Sequence, residues 1–177
     1  MSNPLAYFIT FTTYGTWLHG KDPQSVDRSH NVFGLPFSRP NENREKARSA
    51  QLQQNPYQLE DSKRQIVLET ILEVALFRNW TIWAIHVRSN HVHVVITASV
   101  APEKVMSDLK AYCSRRIRER TDEQADRNRW TRHGSKIWIN DDKGLQKVIE
   151  YVLECQGEAM NRYPEIREKE WPNEPKV

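Results

Sequence analysis

The stretch TIWAIHVRSNHVHVVITA, Thr81 to Ala98, leaves its chain few ways to fold. Residues alternate with a period of two on both sides of the polar dipeptide Ser89-Asn90, the pattern of two antiparallel strands joined by a tight turn. Successive side chains on a strand point to opposite faces of the sheet. His91 and His93 therefore project from one side, while Val92, Val94 and Ile96 line the other. Along one face the two imidazoles are neighbours, about 7 Å apart at Cβ.

The rest of the chain supplies what a hairpin needs to become a sheet. AYFITFTTY, Ala6 to Tyr14, is aromatic and β-branched and stops at Gly15, which predicts a strand and a turn. From Leu59 to Phe77, Ile66, Val67, Ile71, Leu72, Ala75 and Leu76 recur at helical spacing, with Asp61 or Ser62 placed to cap. A second helix runs from Pro102 to about Arg120. Val105, Met106, Leu109, Tyr112, Cys113 and Ile117 form its apolar stripe, and Lys110, Arg115, Arg118 and Arg120 lie beside or opposite it. KIWIN, Lys136 to Asn140, reads as a short strand. Leu145, Val148, Ile149 and Val152 then mark a last helix that starts behind Asp141-Asp142 and ends near Gly157.

Strand, helix, strand, strand, helix, strand, helix is the order of an α+β fold of the ferredoxin-like, split βαβ kind. The expectation is a four-stranded antiparallel sheet with helices on one face and a C-terminal helix. The 177 residues suit one core, so residues 1–177 read as a single domain. A polar insertion at about 20–58 holds Pro23, Pro36, Pro40 and Pro56 and a short helix near Glu42 to Gln53, and a charged tail follows about residue 160.

Composition narrows the function classes. No apolar run approaches the roughly 20 residues of a spanning helix, and MSNPLAYFIT lacks the basic start of a signal peptide, so the expectation is a cytoplasmic protein without a membrane partner. Cys113 and Cys155, the only two cysteines, are expected as reduced thiols, packed as small apolar side chains. The net charge of +3 says little alone. Its distribution says more: Pro102 to Lys136 holds ten Lys or Arg against six Asp or Glu, a local +4, and Asp141 to Val177 six against nine, a local −3. Such a basic run is usually a solvated helix face and becomes evidence for nucleic acid only beside a site.

A single strand histidine is most often a hydrogen-bonded or exposed residue. Two at successive same-face positions of an apolar strand can instead converge on one ion or phosphate. A closed zinc site would need two more Cys or His at suitable spacing, and the chain has no CxxC or spaced His pair. His86 has the strand parity to lie across the hairpin from the pair, or to be a surface residue. Two nitrogen donors and one oxygen donor would leave coordination positions open to a phosphate oxygen.

HVH at His91 to His93, within VRSNHVHVVI, is followed in order by VMSDLKAYCSRRI, WTRHGSKIWI and VIEYVLECQGE, and preceded by FITFTTYGTWLHG. Over most of residues 6 to 157 the chain resembles the single-tyrosine HUH transposases of the insertion-sequence type, and within them the REP-associated tyrosine transposases. The resemblance implies a DNA strand transferase working through a 5′-phosphotyrosine, with Tyr151 as nucleophile, a divalent Mg²⁺ or Mn²⁺ held by His91 and His93, and single-stranded or hairpin DNA as partner. Tyr112 is the competing tyrosine. It lies in line with Met106, Leu109 and Cys113, as a core aromatic would, whereas Tyr151 sits about 110° off the centre of its helix's apolar stripe.

The third ligand of such sites is commonly a Gln or Asn four residues after the tyrosine, where this chain has Cys155, a soft donor ill suited to Mg²⁺ or Mn²⁺. Gln156 would point about 140° from Tyr151 in an ideal helix unless the helix unwinds before Gly157. Gln156, Glu154 or no third ligand remain open, with Gln156 favoured by the resemblance. DNA contacts are expected from Lys110, Arg115, Arg116 and Arg118 on the second helix and from Arg129, Arg132 and Lys136 in the following loop, with Trp130 for stacking. Related enzymes are often dimers, so a homodimer is admitted and no surface for one is legible. The alternative is a domesticated, catalytically inactive hairpin-binding protein.

Overall fold

The histidine strand is the centre of the sheet. In the computed structural model, which describes residues 4–16 and 52–164, the elements are β1 (Ala6–Thr12), α1 (Asp61–Phe77), β2 (Thr81–Val87), β3 (His91–Thr97), α2 (Pro102–Arg120), β4 (Ser135–Ile139), α3 (Asp142–Glu154) and β5 (Asn161–Tyr163). The strands lie in the order β4-β1-β3-β2-β5, every pair antiparallel. The expected helix near Glu42 to Gln53 lies outside the described residues except for Leu52 and Gln53, which are not helical.

Alternation along the strands divides the protein into two layers of packing. On one face Ile9, Phe11, Val92, Val94 and Ile96 meet α1 and α2 through Val67, Ile71, Leu109, Cys113 and Ile117. On the other, Ala6, Ala84 and Val95 meet α3 through Leu145, Val152 and Leu153. The central strand is therefore buried on both sides, which explains why the apolar run HVHVVI is nearly continuous.

The structure departs from the sequence reading at several element boundaries. A fifth strand, β5, forms in the segment assigned to a charged tail, because β2 offers a free edge to Asn161–Tyr163. As expected, α1 and α2 cover one face and the C-terminal helix stands apart from them, packed on the opposite face. Neither Asp61 nor Ser62 caps α1: its N-cap is Glu60, without a side-chain bond, and the Asp61 carboxylate accepts from Arg64 at 2.9 Å. Asp141 does cap α3, accepting from the Gly144 N–H at 2.8 Å. That helix ends at Glu154, and Gly157, with φ +73°, lies in the turn beyond.

Candidate functional site

His91 and His93 project, as alternation requires, from the α3 face of β3. Their ring centroids are 4.7 Å apart. Each ring is held by its Nδ1: in His91 that nitrogen faces Asn90 Oδ1 at 2.7 Å, and in His93 it faces Thr10 Oγ1 at 2.7 Å. Thr10 is the β1 residue paired directly with His93, so the bond follows from register. Tethering Nδ1 orients Nε2, as the outer partners of metal-binding histidines do. Burial, above all, pushes the His91 imidazole down to about 4, with Arg88 and His86 adding to it, and that of His93 down to about 3, with His91, His86 and Arg88 adding to it. Both rings are neutral at pH 7, the form in which an imidazole donates a lone pair.

Tyr151 stands over this pair. Its ring centroid lies 6.0 Å from that of His93 and 6.0 Å from that of Phe8, and the residue is 45% exposed. Phe8 props both groups, with its centroid 5.4 Å from His93. Because α3 stops at Glu154, Cys155 and Gln156 leave the helical path. Gln156 folds back so that its Nε2 donates to the Tyr151 carbonyl at 3.2 Å, and its Oε1 lies 3.2 Å from His93 Nε2. Unwinding thus brings round a side chain that an ideal helix would have carried away. Glu154 and Cys155 are exposed. Tyr112 is on α2, half-buried against the core of the opposite face, beneath the Arg115 guanidinium at 5.5 Å.

The donors gathered here are two imidazoles and one amide oxygen, a neutral set. Among the described residues no group of three or more His, Cys, Asp or Glu is placed to hold a metal ion. Thr10 allows His93 either tautomer, since a hydroxyl both donates and accepts. With Nε2–H donating to Gln156, Thr10 donates to Nδ1. With Nε2 committed as a lone-pair donor, Nδ1–H donates to Thr10. The residues present fit a divalent ion on these grounds.

His86 is the residue whose role sequence reasoning left undecided. It is 1% exposed and pairs across the ladder with His93. Its Nδ1–H donates to the Val152 carbonyl at 3.0 Å, and its Nε2 accepts the Met160 N–H at 3.3 Å. Arg162 of β5 donates to the Leu153 carbonyl at 2.5 Å. Two side chains from the sheet thereby satisfy carbonyls that the end of α3 would leave unpaired, and fix the helix over the histidines. Register was the available signal: His86 and His93 are equidistant from the hairpin turn. Arg88, beside that turn, was missed.

The predicted DNA-binding residues separate into groups. Arg129 is 4% exposed, donates to Glu123 at 3.0 Å and reaches the carbonyls of Gln124 and Arg127. It holds its loop together and is not available to DNA. Lys110 donates to the Thr131 and His133 carbonyls at 2.9 and 3.0 Å, and burial pushes its ammonium down to about 8. Trp130 is partly buried, donates to the Lys110 carbonyl at 3.1 Å and packs edge-to-face with Phe11 at 5.0 Å. Arg116 pairs with Glu73 at 2.6 Å and Lys136 with Glu103 at 2.9 Å. Arg115 and Arg118 are exposed, on the helix behind the sheet from the histidines. Arg132 is exposed next to Thr131, whose hydroxyl is 2.9 Å from that of Thr12, the β1 partner of His91. Gly134 lets this loop lie close, since a Cβ there would meet the Thr10 carbonyl at 2.5 Å. The cysteines are free, Cys113 buried as expected and Cys155 exposed.

Comparison with known proteins places the chain in a family. The family model described as transposase, IS200 like, matches residues 50–154. Among solved structures, a REP-associated tyrosine transposase bound to a REP hairpin aligns with a TM-score of 0.51 at 13% identity, over 86% of this chain and 66% of that one. This chain thus spans just under two thirds of that protein. A candidate transposase from Deinococcus radiodurans aligns with a TM-score of 0.48 at 12% identity, over 86% of this chain and 91% of its own. No curated protein matches the chain.

Proposed function

The chain belongs to the IS200-like transposase family, and from that premise we propose that it cleaves and rejoins single-stranded or hairpin DNA through a 5′-phosphotyrosine at Tyr151. The observation that supports this reading is one of position. A half-exposed phenol and two neutral imidazoles, one buried and one partly so, share one face of the sheet, with the His93 and Tyr151 rings 6.0 Å apart. The REP hairpin bound by the structural neighbour suggests the class of DNA.

The steps follow from what each residue offers. The phenol oxygen of Tyr151 attacks phosphorus and loses its proton to water while the bond from phosphorus to the 3′ oxygen breaks. A 5′-phosphotyrosine and a 3′-hydroxyl result. Held by His91, His93 and Gln156, an Mg²⁺ or Mn²⁺ ion would offset charge on a nonbridging oxygen of the scissile phosphate. Thr10 and Asn90 keep the two Nε2 atoms aimed outward from the sheet, and His86 and Arg162 keep the tyrosine helix over them. The bond energy is retained in the tyrosyl ester, so an incoming 3′-hydroxyl can reverse the attack and join strands. Arg132, exposed beside Thr131 at the edge of the same face, is placed to serve the entering strand.

The inactive, DNA-binding alternative drew on Cys155 at the position of the usual ligand. Gln156 supplies an amide oxygen one residue later, beside His93, which supports the active reading over that alternative. The test is Tyr151→Phe. Incubated with Mn²⁺ and a hairpin oligonucleotide, the variant should lose covalent adduct by at least about 1,000-fold while binding DNA as the parent does. An adduct at parental yield would sink the assignment.

A further inference from the structure

Arg88 flanks the hairpin turn directly opposite His91. The ladder pairs His86 with His93 and Val87 with Val92, and the Arg88 N–H then donates to the His91 carbonyl at 2.9 Å. By alternation Arg88 belongs to the face that carries His86, His91 and His93. Its guanidinium lies on that side, since Nη1 donates to the Glu158 carbonyl at 3.1 Å, just beyond the turn that carries Gln156. The charge is felt at all three imidazoles, each held below its ordinary value in part by Arg88.

Among the described residues Arg88 has no carboxylate partner. Arg64, Arg78, Arg116, Arg120 and Arg129 each have one. A fixed positive charge beside a neutral donor set repels any cation placed there, and the arrangement is favourable only when an anion lies between the two. One backbone carbonyl occupies one of the guanidinium's five donors and leaves a fork suited to phosphate.

We propose that Arg88 binds a nonbridging oxygen of the DNA phosphodiester seated at the His91–His93 pair, so that ion and DNA recruit one another. This rests on the function proposed above. Alone, an ion meets neutral ligands and a repelling guanidinium, and binds weakly. The phosphate answers both charges, and by linkage whatever factor the DNA adds to ion affinity the ion adds to DNA affinity.

Two variants separate charge from hydrogen bonding: Arg88→Gln keeps an N–H donor for the Glu158 carbonyl and loses the charge, and Arg88→Lys keeps the charge and loses the fork. Mn²⁺ binding is measured on the whole protein by electron paramagnetic resonance, with and without a mixed-sequence single-stranded oligonucleotide. DNA affinity without metal is measured against salt. Arg88→Gln should bind Mn²⁺ alone several-fold more tightly than the parent, and the salt slope of its DNA binding should fall by about 0.7. Arg88→Lys should keep the parental slope. Equal behaviour of the two variants, or a parental slope and parental Mn²⁺ affinity in Arg88→Gln, overturns the proposal. If the parent binds no Mn²⁺ with or without DNA, the metal reading fails, and the salt slope still decides whether Arg88 holds phosphate.

Discussion

The two faces of the sheet are built from the same five strands and solve opposite problems. Toward α1 and α2 the strands present Ile9, Phe11, Val92, Val94 and Ile96, all fully buried, and the charges around that layer are largely paired. Toward α3 they present Thr10, His86, His91 and His93, polar groups at positions where an apolar side chain would pack as well. Each buried nitrogen on that face that faces away from the opening has a partner. Buried polar groups cost stability unless satisfied. The contrast therefore marks the polar groups that packing alone does not require: two imidazoles, one of them bonded at Nε2 to Gln156, and the half-exposed phenol beside them.

The comparison can be broken most severely from the structural side. Arg129→Met removes a buried cation from Glu123, and the protein should lose about 3 kcal/mol of unfolding free energy in a urea titration, while the folded fraction keeps its DNA affinity. Unchanged stability with lost DNA binding would return Arg129 to the interface where sequence had placed it. His91→Ala and His93→Ala attack the other face. Each should lower DNA cleavage by about 100-fold, or about 2.7 kcal/mol of barrier, with little loss of stability in thermal unfolding. A loss of stability with cleavage retained would make the histidines part of a core.

A smaller effect sharpens the division through pH. Burial lowers the folded-state values of His91 and His93 to about 4 and about 3, so below about 6.5 the unfolded chain binds more protons than the native one. Their contribution is complete above about pH 6.5 and is lost as pH falls, toward 4 for His91 and toward 3 for His93, on the order of 2 kcal/mol each by pH 5. Glu123, held below the ordinary carboxylate range by Lys63, Tyr57 and Arg129 despite its burial, acts lower: its contribution is lost only as pH falls below its unfolded value. Unfolding free energy against pH should decline in two windows. His91→Asn with His93→Asn should shrink the upper one to the share of His86, whose buried imidazole is also held low, and Glu123→Gln should shrink the lower.

Much of this was legible in the amino-acid order, for identifiable reasons. The hairpin is specified by alternation and a two-residue turn, both local. The choice of Tyr151 over Tyr112 as the tyrosine facing outward follows from helical angle, and the structure leaves the first half-exposed and the second packed on the core. What was not legible depended on distant partners. Asn161–Tyr163 is too short and polar to announce a strand and becomes one because β2 has an open edge. Arg129, Lys110 and Trp130 read as a nucleic-acid surface because their partners, Glu123, the Thr131 carbonyl and Phe11, come together only in the folded chain. Gln156 was favoured by the resemblance alone, since the helix end at Glu154 that brings it round is a boundary no periodicity marks.

The most direct measurement is the site of covalent attachment. A reaction of the whole protein with Mn²⁺ and a hairpin oligonucleotide would be digested with nuclease and trypsin and analysed by mass spectrometry. The account expects the nucleotide on the peptide Val148–Arg162, whose one tyrosine in its helical part is Tyr151. Attachment on the peptide Ala111–Arg115, which carries Tyr112, or adduct formation undiminished by His91→Ala and His93→Ala together, would contradict a shared site for phenol and imidazoles.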